Sequence, residues 1–537
     1  MSSNAATLDD SSSIQEVGTA APAETKVWTP SFNPWLIAAA VMLATFMEVL
    51  DTSVANVALP HIAGNLSAST EEATWVLTSY LIANAIILPA TGWLTTVFGR
   101  KKFLITCIII FTAASALCGA ATNLNMLILA RILQGAGGGA LQPIAQSVLL
   151  ESFPPHKRGS AMALYGLGVV VAPIIGPTLG GWITDNYSWR WIFYINLPIG
   201  ILAAFMANTF VEDPPYLRNQ KPGRIDYIGF GFMALGLAML ELTLDLGQQR
   251  DWFSSPTIIF TAVSAVIMIL AFILWELYVD EPIVNLRIFL NRNFAVGCTL
   301  IACVGVVLYG STALLPLFLQ TLLGYPAVES GLAVSPRGLG SVVSMLVVGR
   351  LIGKVDGRYL IAFGFFVLAY STNMFTGITL EIAQSNIVYP MIISGFAMGF
   401  VFVPLTTMAM GTLSNEQISN ASGIYNLMRN TGGSIGIAAM TTLLTRNSQT
   451  HQDVLSGSLN QYSIAFQNSV QQIQNNLGVG ATAEQAYGVI YGTLVKQASV
   501  LSYIDNFRLL AFLCLLCAPA AFLFKKVKNA KPPAGAH

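Results

Sequence analysis

From Trp35 onward the chain is a succession of apolar stretches, each about 20 residues or longer, parted by short polar turns. A helix needs about that length to cross the hydrocarbon of a bilayer. The pattern predicts spans near 35–59, 75–98, 103–121, 124–150, 160–184, 190–211, 225–247, 256–279, 294–323, 329–353, 357–380, 386–412, 419–445 and 506–527, fourteen helices in all. The first 34 residues are polar, which predicts a disordered cytoplasmic tail rather than a cleavable signal peptide. Residues 446–505 break the pattern, being rich in Gln, Asn and Ser. Within them Leu455, Leu459, Tyr462, Phe466, Ile473 and Leu477 recur at steps of three, four or seven, the mark of an amphipathic helix. That helix is either a spacer on the membrane face or a docking surface for a partner outside the membrane.

Composition narrows the class. Of 537 residues 54% are hydrophobic and only 10% charged, against roughly a quarter charged in a soluble domain. A soluble enzyme, a secreted disulfide scaffold and a disordered chain are excluded. Lys+Arg and Asp+Glu stand equal at 26, so no basic excess points to nucleic acid. The six cysteines lie in apolar runs and read as small hydrophobes, Cys514 and Cys517 included. His61, His156, His451 and His537 are scattered and suggest no metal site. Nothing resembles a GxxxxGK[ST] phosphate loop, so ATP hydrolysis is not the expected energy source and no cofactor is expected. With the N-terminus inside, inner loops and tails carry 18 of the 26 Lys and Arg. That bias places both termini in the cytoplasm, in keeping with an even number of spans.

A short basic inner turn occurs twice. Gly92-Trp-Leu-Thr-Thr-Val-Phe-Gly99-Arg100 follows the second span, and Gly349-Arg350-Leu-Ile-Gly-Lys354 follows the tenth. The repetition divides the chain into a six-helix bundle (35–211), two inserted helices (212–280) and a second six-helix bundle (281–527), which includes the 446–505 outer segment. A cytoplasmic tail follows (528–537). Parallel repeats of this kind belong to transporters that rock around a midplane site.

Ionisable groups inside a span are costly and so are functional candidates. Glu48 and Asp51 share a face of the first helix at i and i+3. Arg131, in the fourth, falls at similar depth when counted at ~1.5 Å per residue. An acid held against an arginine keeps its charge, whereas one parted from it in an apolar interior takes up a proton. Movement that changes their separation would therefore carry a proton. The alternative is a static strut, for which a second acid one turn away is unnecessary. Gln134, Gln142 and Gln146 follow Arg131; they either line a cavity or bond between helices. Gly135 and Gly137 to Gly139 permit close backbone approach. In the fifth helix Pro173 and Pro177 each delete a backbone hydrogen bond, and Gly176, Gly180 and Gly181 pack closely, a combination suited to a seal between the halves. Glu241 and Asp245, toward the outer end of the seventh helix, suggest a headgroup-level or water-facing role.

The segments LDTSVANVALP (50–60), GWLTTVFGRKK (92–102), LARILQGAGGGALQP (129–143) and APIIGPTLGGWI (172–183) resemble four ordered motifs of the major facilitator superfamily. With two inserted helices, the chain is similar to that superfamily's fourteen-helix drug:proton antiporters. The resemblance implies two six-helix bundles and alternating access in a bacterial inner membrane. It implies Asp51 as the proton-coupling acid, with Glu48 beside it and Arg131 as basic partner. Gly92, Gly99 and Arg100 would serve the inner gate, and Pro173, Gly176, Pro177, Gly180 and Gly181 the antiporter seal. A periplasmic membrane-fusion adaptor and an outer-membrane channel are the expected partners. Thr96 and Gly353 stand where the family carries an Asp in that inner-gate motif, so the resemblance supplies no carboxylate latch there.

The last six spans hold Arg337 and Arg429 near the midplane but no acid. The expected substrate site takes in Phe46, Asn56, Gln134, Gln142, Gln146, Tyr309, Phe402, Tyr425, Asn426 and Arg429. Amides, aromatics and arginine predict neutral or weakly acidic hydrophobic substrates rather than quaternary cations, unless both arginines are taken up by backbone carbonyls. The alternative is export of a physiological peptide, siderophore or lipid, with drugs carried incidentally.

Overall fold

The computed structural model describes residues 30–154, 157–215, 226–460, 462–478 and 481–525. The predicted tails fall almost wholly outside these residues. The first predicted bundle holds α1 (Pro34–Asn65), α2 (Thr70–Phe98), α3 (Arg100–Gly119), α4 (Leu124–Gly138), α5 (Leu141–Ser152), α6 (Arg158–Asn186), α7 (Trp191–Tyr194) and α8 (Asn196–Phe210). The inserted pair is α9 (Tyr227–Leu246) and α10 (Pro256–Tyr278). The second holds α11 (Arg292–Thr321), α12 (Ala327–Val334), α13 (Pro336–Leu351), α14 (Gly357–Met374), α15 (Ser385–Met410), α16 (Asn415–Ser458), α17 (Ile464–Leu477) and α18 (Ala483–Ala520). Among the described residues the architecture is all-α, with no strand beyond one isolated bridge, Ile352 to Val355.

Local chemistry explains the helix starts. Asn33 caps α1 by accepting from the Trp35 N–H, with Pro34 at the first turn. Ser69 and Glu72 form a reciprocal capping box on α2, and Thr482 and Gln485 do the same on α18. Gly99 joins α2 to α3 at φ +78°, a conformation a side chain would strain. The glycine run 137–139 ends α4, and α5 restarts two residues later, so the fourth predicted span is two helices in series.

Among the described residues thirteen helical segments are long and apolar enough to cross a membrane. The remaining predicted span, 419–445, lies in α16, which is too polar to be recognised by hydropathy but packs between α11, α18 and α2. The 446–505 segment is also more helical than expected. α16 runs on to Ser458 and α18 begins at Ala483, so both helices continue well past the predicted span edges. The amphipathic helix is confined to α17, while Leu455 belongs to α16 and Leu459 and Tyr462 to the connection between them. α17 leans on α18, with Phe466 stacked on Tyr487 at 5.8 Å.

Packing within each half is dense: α1 on α6, α5 and α8 in the first, α11 on α16 and α13 on α15 in the second. The halves meet along two seams, α2 with α16 and α6 with α12 and α13. At the first seam a Cβ on Gly92 would stand 2.7 Å from the Asn420 Cα, and one on Gly423 2.7 Å from the Leu88 carbonyl oxygen. α9 lies against both α2 and α16, whereas α10 packs mainly on α9 and exposes Phe260, Val263, Ile267, Leu270 and Leu274. That surplus of apolar surface is the pattern of a lipid-facing helix.

Candidate functional site

Asp51, Arg131 and Gln134 converge inside the first half, where α1, α4 and α8 meet. Arg131 Nη1 donates to Asp51 Oδ2 at 2.6 Å, and both side chains are almost wholly buried. The other carboxylate oxygen accepts from Gln134 Nε2 at 2.9 Å and from Asn196 Nδ2 at 2.7 Å. Asn196 also donates to Ser115, and Gln134 Oε1 accepts from Arg131 at 2.8 Å. The guanidinium is held further by the Val76 carbonyl and by the ring of Tyr80, 4.1 Å from its centroid. Glycines make the approach possible. A Cβ on Gly135 would fall 2.4 Å from the Tyr80 carbonyl oxygen, so α2 and α4 touch backbone to backbone.

Glu48, one turn below, sits in a second set. It accepts from Tyr80 Oη (3.1 Å), Asn84 Nδ2 (3.2 Å) and Gln142 Nε2 (2.7 Å). The Gln142 carbonyl in turn accepts from Arg429 Nη2 of α16. Glu48 and Arg429 are thus joined across the two halves through one amide. Asn426, one turn from Arg429, donates to Gln146 at 2.8 Å and accepts from Tyr165 Oη at 3.1 Å, and Tyr165 stacks against Phe402. Two polar links therefore join the halves one helical turn apart on α16, Glu48–Gln142–Arg429 and Gln146–Asn426–Tyr165.

The structure does not gather every expected residue here. Asn56 is exposed and donates to its own helix at the Thr52 carbonyl. Phe46 packs in a smaller apolar cluster with Val49, Leu50 and Leu127. Tyr425 is buried but bonds with Thr406, and the Tyr309 ring lies over Gly433. Neither arginine of the second half is spent on backbone carbonyls. Arg429 bonds the side chains of Gln142 and Asn430, and Arg337 those of Ser311 and Thr312. Among the described residues no carboxylate lies within salt-bridge distance of either.

The glycines of α6 divide their work. Gly176 and Gly180 face Ser53 and Val54 of α1, inside the first half, and Ser53 Oγ donates to the Pro173 carbonyl. Pro177 shares that stretch of α6, and Gly181 faces Val328 of α12 at the seam. Of these three glycines Gly181 alone faces the second half. At the inner end Arg100 is buried against Glu151 at 2.9 Å, and the Asp213 carboxylate accepts from the Lys101 N–H at 2.8 Å. Carboxylates thus do reach the inner turn, from α5 and the segment after α8. Of Glu241 and Asp245, only the first departs from the expected water-facing role. Glu241 is buried and accepts from Ser434 of α16 at 2.9 Å, while Asp245 accepts from Thr78 of α2. Glu241 faces protein, whereas Asp245 stays exposed, as expected of a water-facing residue.

Residues 41–437 match the family description Major Facilitator Superfamily. The multidrug export protein EmrB of Escherichia coli K12 is 40% identical over 499 residues, 93% of this chain and 95% of that protein. The chain belongs to the major facilitator superfamily and to its EmrB-type group. The fatty acid resistance protein FarB of Neisseria gonorrhoeae is 37% identical over 491 residues, 91% of this chain and 95% of FarB. The fold also matches the human organic anion transporter MFSD10 (TETRAN), with a TM-score of 0.57 at 12% identity over 90% of this chain and all of that one.

Tyr80, Asn84, Ser115, Tyr165 and Asn196 complete the network and were not singled out by sequence. Each is one polar residue in an apolar run. The available signal was the small residues opposite them, notably Gly135 and Gly138, which mark where the backbone makes room for a polar group.

Proposed function

We propose that this multi-pass membrane protein is a proton-driven antiporter that exports hydrophobic, neutral or weakly acidic compounds across the inner membrane by alternating access. The observation that carries the reading is the Asp51–Arg131 pair, buried at 2.6 Å and bonded to two amides. A proton arriving at Asp51 from outside cancels its charge and loosens its hold on Arg131. Gln134, which bonds both groups, then loses its fixed register, and α4 carries that change toward Gln142, Glu48 and Arg429. Release of the proton inward restores the pair. One charge moving through 100 mV supplies about 2.3 kcal/mol and one pH unit about 1.4 kcal/mol. Together these support a gradient of a few hundredfold per proton.

Substrate class follows from charge. Arg429 and Arg337 are buried and, among the described residues, have no carboxylate at salt-bridge distance, which favours an acid or a neutral molecule over a quaternary cation. The names of the relatives, multidrug export and fatty acid resistance, fit that reading. The bias of Lys and Arg toward the predicted inner loops supports a cytoplasmic position for both termini. The α16–α17–α18 projection then stands outside the membrane, as a contact for a membrane-fusion adaptor that leads to an outer-membrane channel. Purified protein in proteoliposomes, given an imposed pH gradient and a lipophilic acid, a neutral drug or a quaternary dye, tests the proposal. Gradient-driven movement of the first two at rates above the third supports it. Preference for the dye, or transport indifferent to the gradient, overturns it.

A further inference from the structure

A groove of about 290 Å³ opens between α6 and α13 at the predicted inner end of the seam, away from the Asp51 network. Its walls are apolar, with Trp35 at the mouth, Leu164 and Leu167 on one side, and Met345 and Leu346 on the other. Ser160 to Leu167 spans seven residues, so the groove reaches ~10 Å inward from the interface at 1.5 Å per residue. Among the described residues Arg350 is the one charged residue that lines it; it is exposed and donates to the Leu346 carbonyl of its own helix at 3.3 Å. An exposed Trp beside a cation at one end of an apolar slot is the arrangement found at headgroup depth.

Met345 ties the groove to the neighbourhood of the central site. A Cβ on Gly166 would touch Met345 Cε and Phe402 Cδ1, each at 3.0 Å, so both side chains press on this point of α6. Phe402 stacks on Tyr165, whose hydroxyl bonds Asn426 in one of the polar links between the halves. Met345 thus lines the groove and, like Phe402, lies beside Gly166 on α6, the helix that carries Tyr165. Methionine, unbranched and with three rotatable bonds, swings aside at little cost.

We propose that this groove is where a single-chain amphipathic carboxylic acid is taken up from the inner leaflet, its carboxylate on Arg350 and its chain against Leu164, Leu167 and Leu346, with Met345 as the gate to the central site. This rests on the reading above that the chain exports acidic hydrophobic compounds with its N-terminus inside. The volume is at the small end for ligand pockets, room for one chain and not for the two of a phospholipid. The lining offers no carboxylate that would hold a cation.

The test uses full-length protein in proteoliposomes, with dodecanoic acid as cargo and a diazirine-bearing dodecanoic acid as photoprobe. Expected labelling falls on Leu164, Leu167, Met345 or Leu346. Leu346 is exposed, so Leu346→Trp fills the slot without disturbing the core and should abolish that labelling and slow dodecanoate transport. Arg350→Gln should raise KM about fivefold with kcat unchanged, the size of one solvent-screened ionic contact. A two-chain phosphatidyl probe carrying the same diazirine should label the groove weakly. Wild-type transport of dodecanoate that persists unchanged in Leu346→Trp and Arg350→Gln overturns the uptake route alone. Equal labelling by the phosphatidyl probe overturns the choice of occupant. No gradient-driven dodecanoate transport by folded wild-type protein would overturn the proposed function itself.

Discussion

Replacing Asp51 with Asn puts the proposed mechanism under the most direct strain. The carboxylate now accepts from Arg131, Gln134 and Asn196 at 2.6, 2.9 and 2.7 Å. An amide keeps one acceptor oxygen and adds a donor where three donors already converge. Arg131 is left buried without its carboxylate, its Nη2 already unpartnered and the Tyr80 ring over it. Removing one member of a buried ion pair costs about 3–5 kcal/mol, or roughly a hundredfold to several thousandfold in population. That cost falls on the conformation described here, so any arrangement that gives Arg131 water gains by the same factor. Asp51→Asn protein should therefore melt at lower temperature yet insert in the membrane and exchange labelled for unlabelled substrate. Under 100 mV and one pH unit it should accumulate nothing, where wild type reaches a few hundredfold. Asp51→Glu should recover part of the coupling because it restores a titratable group. If Asp51→Asn still concentrates substrate to the wild-type level under the gradient, Asp51 carries no proton and the mechanism fails.

Three further outcomes are expected. Gln142→Leu cuts the link between Glu48 and Arg429 and strands two charged partners, at about 1.5–3 kcal/mol for each bond lost; a thermal-melt double-mutant cycle with Glu48→Gln should be non-additive, and simple additivity would remove the link. Gly176→Ala places a methyl 2.3 Å from Ser53 Oγ, whereas Gly181→Ala meets nothing closer than 3.4 Å, so the first should lose about 1–3 kcal/mol by overpacking and the second little; equal melting temperatures would contradict this. Replacing residues 459–481 with a short linker should leave the melting temperature of the membrane helices unchanged, since α17 buries no residue, while abolishing co-purification with an adaptor; retained co-purification moves the contact elsewhere.

How much of this was readable in advance depended on rarity. Asp51 and Arg131 stood out because charges in a span are few, and a fixed rise per residue sets their depth. The same arithmetic is blind to which face of a helix turns inward. Glu241 looked like a headgroup residue from its position along α9; it is buried because α9 lies on α2 and α16, a contact no local pattern encodes. The link from Glu48 to Arg429 needs α5 and α16 to meet, 287 residues apart at Gln142 and Arg429. Hydropathy marked where the membrane ends rather than where helices end. Nothing between Thr445 and Val454 breaks a helix, so α16 simply continues into water. Its central stretch, rich in Ser, Asn and Gly, is polar because it faces protein on most sides.

The paired glycines where α2 meets α16 carry a mechanical consequence. With Gly92 against the Asn420 backbone and Gly423 against the Leu88 carbonyl, no large side chain interlocks the two surfaces at those points. Interdigitated knobs would have to be lifted out of their holes before the joint could swing. Here main chain glides over main chain, so the lobes behave like the flat faces of a bearing, and whatever decides their angle must be sought in the polar groups at its ends.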